Sequence, residues 1–566
     1  MPFASRVLNW IIASYEFLAI ASCSLPRYSG GGLGWGFDRG RAFEETPTPA
    51  LPRSTGRGRV GSLHRLVART LLLLFVASAS AAPVLPIPQP GQGDPTPALD
   101  SQGIARESLL KMYQAELGDR FHPDQGAALY QTHALIESFF ATPGMMQRRS
   151  IIKLIEASGI DPAIIGRLAR LRMNWPQLQG GVYYVNEKRG PYTVRYFLGI
   201  PKTYDRTKGW PLVVMLPPAE RLLLQAPRDA QGVVDLFNGW VNDELNKHGD
   251  AVVVMPLPEL ATLYGPGATG MNSVIQAMLH AADRVNVDSA RVYLFGQSLS
   301  AFASWNIALH NPTYFASFAA LAGGARADWQ RVRLQNLLNT TPIVWADADD
   351  KIVRPDQSRA LVRVLKGLKV DVDYQETKGM AHTPDAATLE DRYQHMRSHV
   401  RALYPQQLRI QSTRPEVVFN RVDWVQMWQP AAPGAEHRIP IRRGGTFLST
   451  FDNSDNIKAS RDGNQIDLTA DNVESLRLYL NDQMVDFAQP ITVTVNKKVK
   501  FEGKVQQSVE QMLMDQIVLG RGWRYYTAAL DIDLVDRPPA TKPTTRATTG
   551  STTRKGRITV GPGAAD

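Results

Sequence analysis

The sequence predicts an α/β fold: a doubly wound sheet preceded by a helical region and followed by a small, mostly β, sandwich-like domain. Three observations predict it. Between residues 179 and 408, continuous apolar runs such as Pro211–Leu216 and Ala251–Pro256 alternate with helical segments, as parallel strands covered on both faces require. Upstream, in 104–178, apolar residues recur at helical spacing. Downstream, in 409–535, short alternating apolar and polar runs are separated by turn sequences.

At 566 residues the chain can hold two or three folded units plus tails. Residues 1–81 read as an upstream segment and a secretory signal. Arg65-Leu-Val-Ala-Arg69 is a basic n-region, Thr70–Ala77 a short apolar stretch, and Ala79-Ser80-Ala81 an A-x-A cleavage site. The apolar stretch is too short to span a bilayer. Export to the periplasm or medium, with cleavage near Ala81 and no stable membrane insertion afterwards, is therefore expected. The Gly-, Arg- and Pro-rich residues before the signal suggest a translation start assigned too far upstream. An earlier apolar run, Val7–Ala21, leads into Cys23 as a lipoprotein cleavage box would, but Glu16 interrupts it and favours the downstream signal. Cys23 is the only cysteine, so the exported chain is expected to lack disulfides, a thiolate nucleophile and cysteine metal sites.

The net charge of +10 does not mark a nucleic-acid binder. Residues 1–81 hold 9 basic and 4 acidic side chains, and 536–566 hold 6 and 2, which leaves 48 and 47 between them. A near-neutral body has no electrostatic footprint for a polyanion.

Residues 82–103 are rich in Pro, Gln and Gly and read as a flexible leader. In the helical region Leu109, Leu110 and Tyr113 share one face, then Ala134, Leu135 and Phe139, then Ile151, Ile152 and Ile155. Asp161-Pro162 opens a further helix with proline in its first turn. This region is expected to pack on the unit that follows and, with loops, to wall a substrate pocket. At Gly180 the pattern changes to two strands, Gly181–Val185 and Tyr192–Ile200, joined as a hairpin. Strands at Pro211–Leu216, Ala251–Pro256, Val292–Phe295, Pro342–Ala346 and Val370–Glu376 follow, with helices at Val233–Leu245 and Ser273–Arg284. Past residue 408, Ile466 and Leu468, then Leu476, Leu478 and Leu480, then Ile491, Val493 and Val495 alternate with mostly polar residues. Residues 536–566 form a basic Thr- and Pro-rich tail that reads as disordered.

The chemistry-bearing residues lie at three strand ends. The apolar run from Arg291 ends in Gly296-Gln297-Ser298-Leu299-Ser300, followed by small residues, which reads as strand, tight turn and helix with a serine at the turn. A serine hydroxyl is a weak nucleophile and needs a base that is itself oriented by an acid. After Pro342–Ala346 comes Asp347-Ala-Asp-Asp350-Lys-Ile-Val353, and after the Val370–Glu376 run comes Thr377-Lys-Gly-Met-Ala-His382. Asp350 is preferred as the acid for its spacing to Val353, ahead of Asp349 and then Asp347. Trp305, Trp345 and Trp424 could suggest a sugar platform, but buried packing suits the first two better. The ten histidines show no H-E-x-x-H motif, so no metal or other cofactor is expected. The glycines at 265–270 lack the Gly-Lys-Ser/Thr ending of a phosphate loop and read as a turn beside the site's mouth.

The stretch Val287 to Ser300, with Trp305, Pro312 and Phe315-Ala316, resembles secreted α/β-hydrolase esterases of the polyhydroxybutyrate depolymerase and feruloyl esterase type. Prolyl-oligopeptidase catalytic domains are similar. Tyr184 through Leu216 also resembles the entry to those domains, so the likeness covers residues 180–405. It implies an α/β-hydrolase sheet with Ser298 as nucleophile in a G-x-S-x-G-like elbow, His382 as base and Asp350 as its partner. It also implies an oxyanion hole from the backbone amides of Leu299 and Ala219. Two departures stand out. Ser300 replaces the last glycine of the elbow, and Pro217-Pro218 stands where the family carries His-Gly-x, with proline having no N–H to donate. The expected activity is an exported serine hydrolase acting on a small or polymeric carboxylic ester. The alternatives are a prolyl-oligopeptidase-type peptidase, from which a propeller repeat is missing, and a non-catalytic binding or scaffold protein.

Overall fold

Eight strands make one mixed sheet in the computed structural model of the chain. The model describes residues 103–535 except 190–191, 218–229, 258–263, 265–267, 326–327, 414–419 and 441–446. The signal-like segment with Cys23 and Ala81, nearly all of the leader, and the basic tail lie outside the described residues. The strands are β1 Gly181–Arg189, β2 Tyr192–Ile200, β3 Trp210–Leu216, β4 Val252–Pro256, β5 Val287–Gln297, β6 Ser317–Leu321, β7 Thr341–Asp347 and β8 Asp373–Thr377. Their order is β1-β2-β4-β3-β5-β6-β7-β8. β1 and β2 pair antiparallel, β2 runs antiparallel to β4, and the strands from β4 to β8 are parallel.

The interleaved helices are α5 Ala230–Lys247, α6 Ala268–Ala282, α7 Leu299–His310, α8 Pro355–Gly367 and α9 Ala386–Arg397, preceded in the chain by α1 to α4, described below. Alternate strand residues face opposite ways, and the packing follows that alternation. Leu212, Val214, Val254, Leu294 and Val344 pack with Met278 of α6, Trp305 of α7 and Leu365 of α8. On the other face Val213, Phe295 and Trp345 pack with Tyr393 and Met396 of α9, and Val253 with Phe237 and Val241 of α5. The helices after β3 and β5 thus leave on opposite faces. That makes the crevice at the carboxyl ends of β3 and β5 the switch point where open α/β sheets bind ligands.

β6 escapes the sequence reading. Ser-Phe-Ala-Ala-Leu has no β-branched residue and carries small side chains, yet all five positions are buried in mid-sheet. α6 begins at Ala268, so Gly270 lies in a helix and not in the turn expected there.

A second body is built from both ends of the described chain. Its helices are α1 Arg106–Leu117, α2 Gly126–Ala141, α3 Met145–Ala157 and α4 Pro162–Arg170. Asp161 caps α4, its carboxylate accepting the Ala163 N–H at 2.7 Å. Its strands are β9 Gln407–Ser412, β10 Arg421–Val422, β11 Val425–Pro430, β12 Glu436–Pro440, β13 Phe447–Phe451, β14 Asp455–Asp462, β15 Gln465–Asp471, β16 Val473–Leu480, β17 Ile491–Val495, β18 Lys498–Gly503 and β19 Ala528–Asp533. They form a five-stranded sheet (β18-β17-β15-β14-β9), a four-stranded sheet (β10-β11-β16-β19) and a two-stranded pair (β12-β13), with helix α10 at Val509–Leu519.

One apolar core joins Leu109, Ile136, Ile155 and Leu168 of the helices to Trp424, Leu478, Val493, Met512 and Tyr525. A Cβ on Gly166 would lie 2.3 Å from the Tyr525 ring and 2.9 Å from Met512 Sδ, so glycine lets α4 press onto the C-terminal part. This corrects the expectation that the helices mainly pack on the unit after them and wall its pocket. Their large partner is the β-rich C-terminal part.

The second body meets the eight-stranded sheet at the amino ends of the strands. Trp175 Nε1 donates to Ala282 O just before β5, and Ser289 Oγ to Trp523 O at 3.0 Å. Tyr314 OH, just before β6, donates to Leu519 O at 3.0 Å. Arg401 holds Asp423 through two hydrogen bonds of 2.8 and 2.7 Å with both side chains fully buried. No helix among the described residues is long and apolar enough to cross a membrane.

Candidate active site

The residues expected to carry chemistry converge at the carboxyl edge of the sheet. β5 ends at Gln297 and α7 starts at Leu299, so Ser298 must turn the chain within one residue. It does so at φ +56°, ψ −124°, a conformation that costs a non-glycine residue on the order of 1–3 kcal/mol. Its amide donates to Leu321 O at 2.8 Å, which anchors the turn to β6. At Gly296 a Cβ would fall 2.4 Å from Ser300 O and 2.5 Å from Ser304 Oγ, so only glycine lets α7 fold back this closely.

His382 follows β8, and Asp350 follows β7. The His382 ring lies between the other two: Nε2 is 2.8 Å from Ser298 Oγ, and Nδ1 is 2.9 Å from Asp350 Oδ2. With the proton on Nδ1, the ring donates to Asp350 and accepts from the Ser298 hydroxyl. The other Asp350 oxygen accepts the amides of Ile352 at 2.8 Å and Val353 at 2.9 Å, which locks the carboxylate. The Asp350 side chain is fully buried and that of His382 is 12% exposed, so the ring remains the reachable member of the pair.

The two other acids of that loop are placed elsewhere. Asp349 is the residue whose amide donates to Asp347 Oδ1 at 2.9 Å. Asp347 is buried and accepts hydrogen bonds from the chain around it. Burial alone would raise its pKa, but bonds from Asp349 N, the Thr377 hydroxyl, Met380 N and Ala381 N outweigh that and hold it below the usual carboxylate range.

Leu299 opens α7, so its amide has no partner within the helix and lies beside Ser298. Ala219 lies outside the described residues. Pro217 is described, and its carbonyl accepts the Ser300 hydroxyl at 2.5 Å. Ser300 is fully buried. The sequence presents Ser300 and Pro217 as separate anomalies, whereas in the fold one is bonded to the other.

Trp305, Trp345 and Trp424 are all fully buried, so none offers a face to a sugar. Among the described residues no group of three or more His, Cys, Asp and Glu is placed to hold a metal ion. A cleft of about 540 Å³, lined by Lys208, Trp210, Asp250, Arg291, Tyr293 and Arg397, opens at the amino ends of β3 and β5, the edge away from Ser298.

No family model matches the sequence, and no curated protein does. Solved structures with a similar fold over part of the chain include a thermostable esterase at 22% identity and TM-score 0.31, covering 39% of this chain and 63% of its own. A ferulic acid esterase from Anaeromyces mucronatus, in complex with ferulic acid, is 14% identical at TM-score 0.28, covering 39% of this chain and 90% of its own. Another ferulic acid esterase is 12% identical at TM-score 0.29, with 39% and 98% covered. This chain thus spans less than two thirds of the thermostable esterase. At that level of likeness, any assignment of chemistry rests on the geometry of the site.

Proposed function

We propose that the chain is a serine hydrolase of the α/β-hydrolase type that cleaves carboxylic esters through an acyl-enzyme. The observation that carries this is the unbroken Ser298–His382–Asp350 hydrogen-bond chain at the carboxyl edge of the sheet. As the Ser298 hydroxyl attacks the acyl carbonyl, His382 Nε2 takes its proton and then returns it to the departing alcohol oxygen. Asp350 holds the ring in the tautomer that leaves Nε2 free and stabilises the imidazolium that forms. A water deprotonated by the same nitrogen then releases the acid. The Leu299 amide, at the positive end of α7, faces the charge that develops on the carbonyl oxygen, and the Ala219 amide is assigned as the second donor.

Export by the Arg65–Ala81 signal belongs to the same proposal, as does a division at residues 104–178, 179–408 and 409–535, in which the outer two parts share a core. A non-catalytic role has one observation in its favour, the Pro217-Pro218 pair where an amide donor is needed. A fluorophosphonate probe separates the two. The hydrolase reading expects labelling of the folded protein that disappears in Ser298→Ala; no labelling, or labelling unchanged in the variant, overturns it. Short- and long-chain acyl esters compared with aminoacyl amides then fix the substrate class, with turnover of the amides in preference to esters marking a peptidase.

A further inference from the structure

The histidine of a Ser–His–Asp chain has to meet two partners on two different loops at once. In this chain the loop that carries it is awkward: Gly379 sits at φ +93° and Ala381, a non-glycine residue, at φ +56°. Such a turn persists only where its surroundings over-determine it. One carboxylate meets this turn with three hydrogen bonds. Asp347 Oδ2 accepts the Thr377 hydroxyl at 2.8 Å and the Met380 amide at 3.1 Å, and Oδ1 accepts the Ala381 amide at 3.0 Å and the Asp349 amide at 2.9 Å. Asp347 also lies in the acid loop, where its carbonyl accepts the Asp350 amide at 3.1 Å. The Ala348 amide bonds Thr377 O at 2.8 Å and closes the two loops on each other.

We propose that Asp347 is the positioning residue of this site: its carboxylate fixes the Thr377–Ala381 turn against the Asp350 loop, so that His382 reaches Ser298 and Asp350 together. The proposal rests on the hydrolase reading above. It assigns a role to a second acid that touches neither the substrate nor the imidazole. The carboxylate is needed because all four donors point inward. An amide at this position can serve the Asp349 and Ala381 N–H groups through its oxygen, but its NH₂ then faces the Met380 N–H, donor against donor.

The test compares wild type, Asp347→Asn and Thr377→Val, using fluorophosphonate labelling, hydrolysis of p-nitrophenyl acetate, circular dichroism and the low-field proton resonance of the His382 Nδ1–H. Folded Asp347→Asn is expected to lose roughly 10- to 100-fold in kcat, as a catalytic group displaced by about 1 Å does, with KM little changed and the low-field resonance broadened away. Thr377→Val removes one of the four donors and is expected to move kcat the same way by less. Wild-type kcat in folded Asp347→Asn overturns the proposal, as does a loss confined to KM. Should Asp347→Asn not fold, Thr377→Val decides, and unchanged kcat and resonance there overturn it. A wild type that the fluorophosphonate does not label is a separate result, since it removes the hydrolase reading itself.

Discussion

The sheet unit and the body beneath it are built on opposite plans. The sheet unit runs continuously from Gly181 to Arg397, and each strand lies beside one formed nearby in the sequence. The second body closes one core between residues that are more than three hundred positions apart, such as Leu168 and Tyr525. The proposed site belongs to one of them alone. Ser298, Asp350 and His382 sit at the carboxyl edge of the sheet, and the second body is attached at the amino edge. Among the described residues, the contacts that join its helices and sheets to the sheet unit through Trp175, Trp523, Leu519 and Asp423 lie at the edge away from Ser298.

The joint between the two is the most direct place to break that division. Arg401 and Asp423 are fully buried, and Arg524, itself buried, lies 3.6 Å from the same carboxylate. Asp423→Ala leaves two buried guanidinium groups without that partner. A loss of about 3–5 kcal/mol is expected in urea unfolding, with ester turnover per folded molecule unchanged because Ser298 lies at the far edge. A loss below about 1 kcal/mol, the range of an exposed pair, would mean that the bodies are not locked there.

Acid should separate the two regions as well. His133 is buried in the second body, with Nδ1 2.8 Å from the Tyr113 hydroxyl and Nε2 3.2 Å from Leu171 O. Burial, and then the charge of Arg521, push its pKa down to about 4 against the opposing pull of Glu137 and the Leu171 carbonyl. The unfolded chain takes up this proton near pH 6.5 and the folded one only near pH 4. The neutral ring's contribution is therefore complete above pH 6.5, declines as pH falls, and is gone below about pH 4. It amounts to on the order of 3 kcal/mol. Melting temperatures measured across that range should fall steeply in the wild type and less steeply in His133→Gln. Equal slopes would show that the histidine is not held neutral.

The same contrast explains what the sequence discloses. Ser298, Asp350 and His382 each follow a strand, and loops after parallel strands converge on one edge, so their meeting follows from local pattern and chain order. β6 is silent in the sequence because burial in mid-sheet tolerates the small residues of Ser317–Leu321 that a propensity scale passes over. The joining of helices 104–178 to the C-terminal sheets depends on contacts such as Gly166 against Tyr525. No periodicity encodes a partner so distant. The role of Asp347 was equally hidden, since a hydrogen-bond acceptor and a polar turn residue look alike until the Met380 and Ala381 amides are placed around it.

Ser300 gives the finest test within the sheet unit. As a substitution for the elbow's last glycine it reads as a small defect, tolerated because serine is compact. In the fold its hydroxyl bonds Pro217 O at 2.5 Å, and so ties α7 to the first residue after β3, across the switch-point crevice. Pro217 is therefore anchored to the same helix whose first amide, that of Leu299, is the proposed oxyanion donor. Ser300→Ala removes that bond from a carbonyl on a buried residue, at about 1 kcal/mol of stability. If the anchor also sets the second oxyanion donor, kcat for p-nitrophenyl acetate falls several-fold beyond what the lost stability accounts for, while KM holds, because the donor acts on charge that appears only in the transition state. If kcat is unchanged in folded Ser300→Ala, the bond serves packing alone, and the Leu299 amide carries the developing charge without help from the loop after β3.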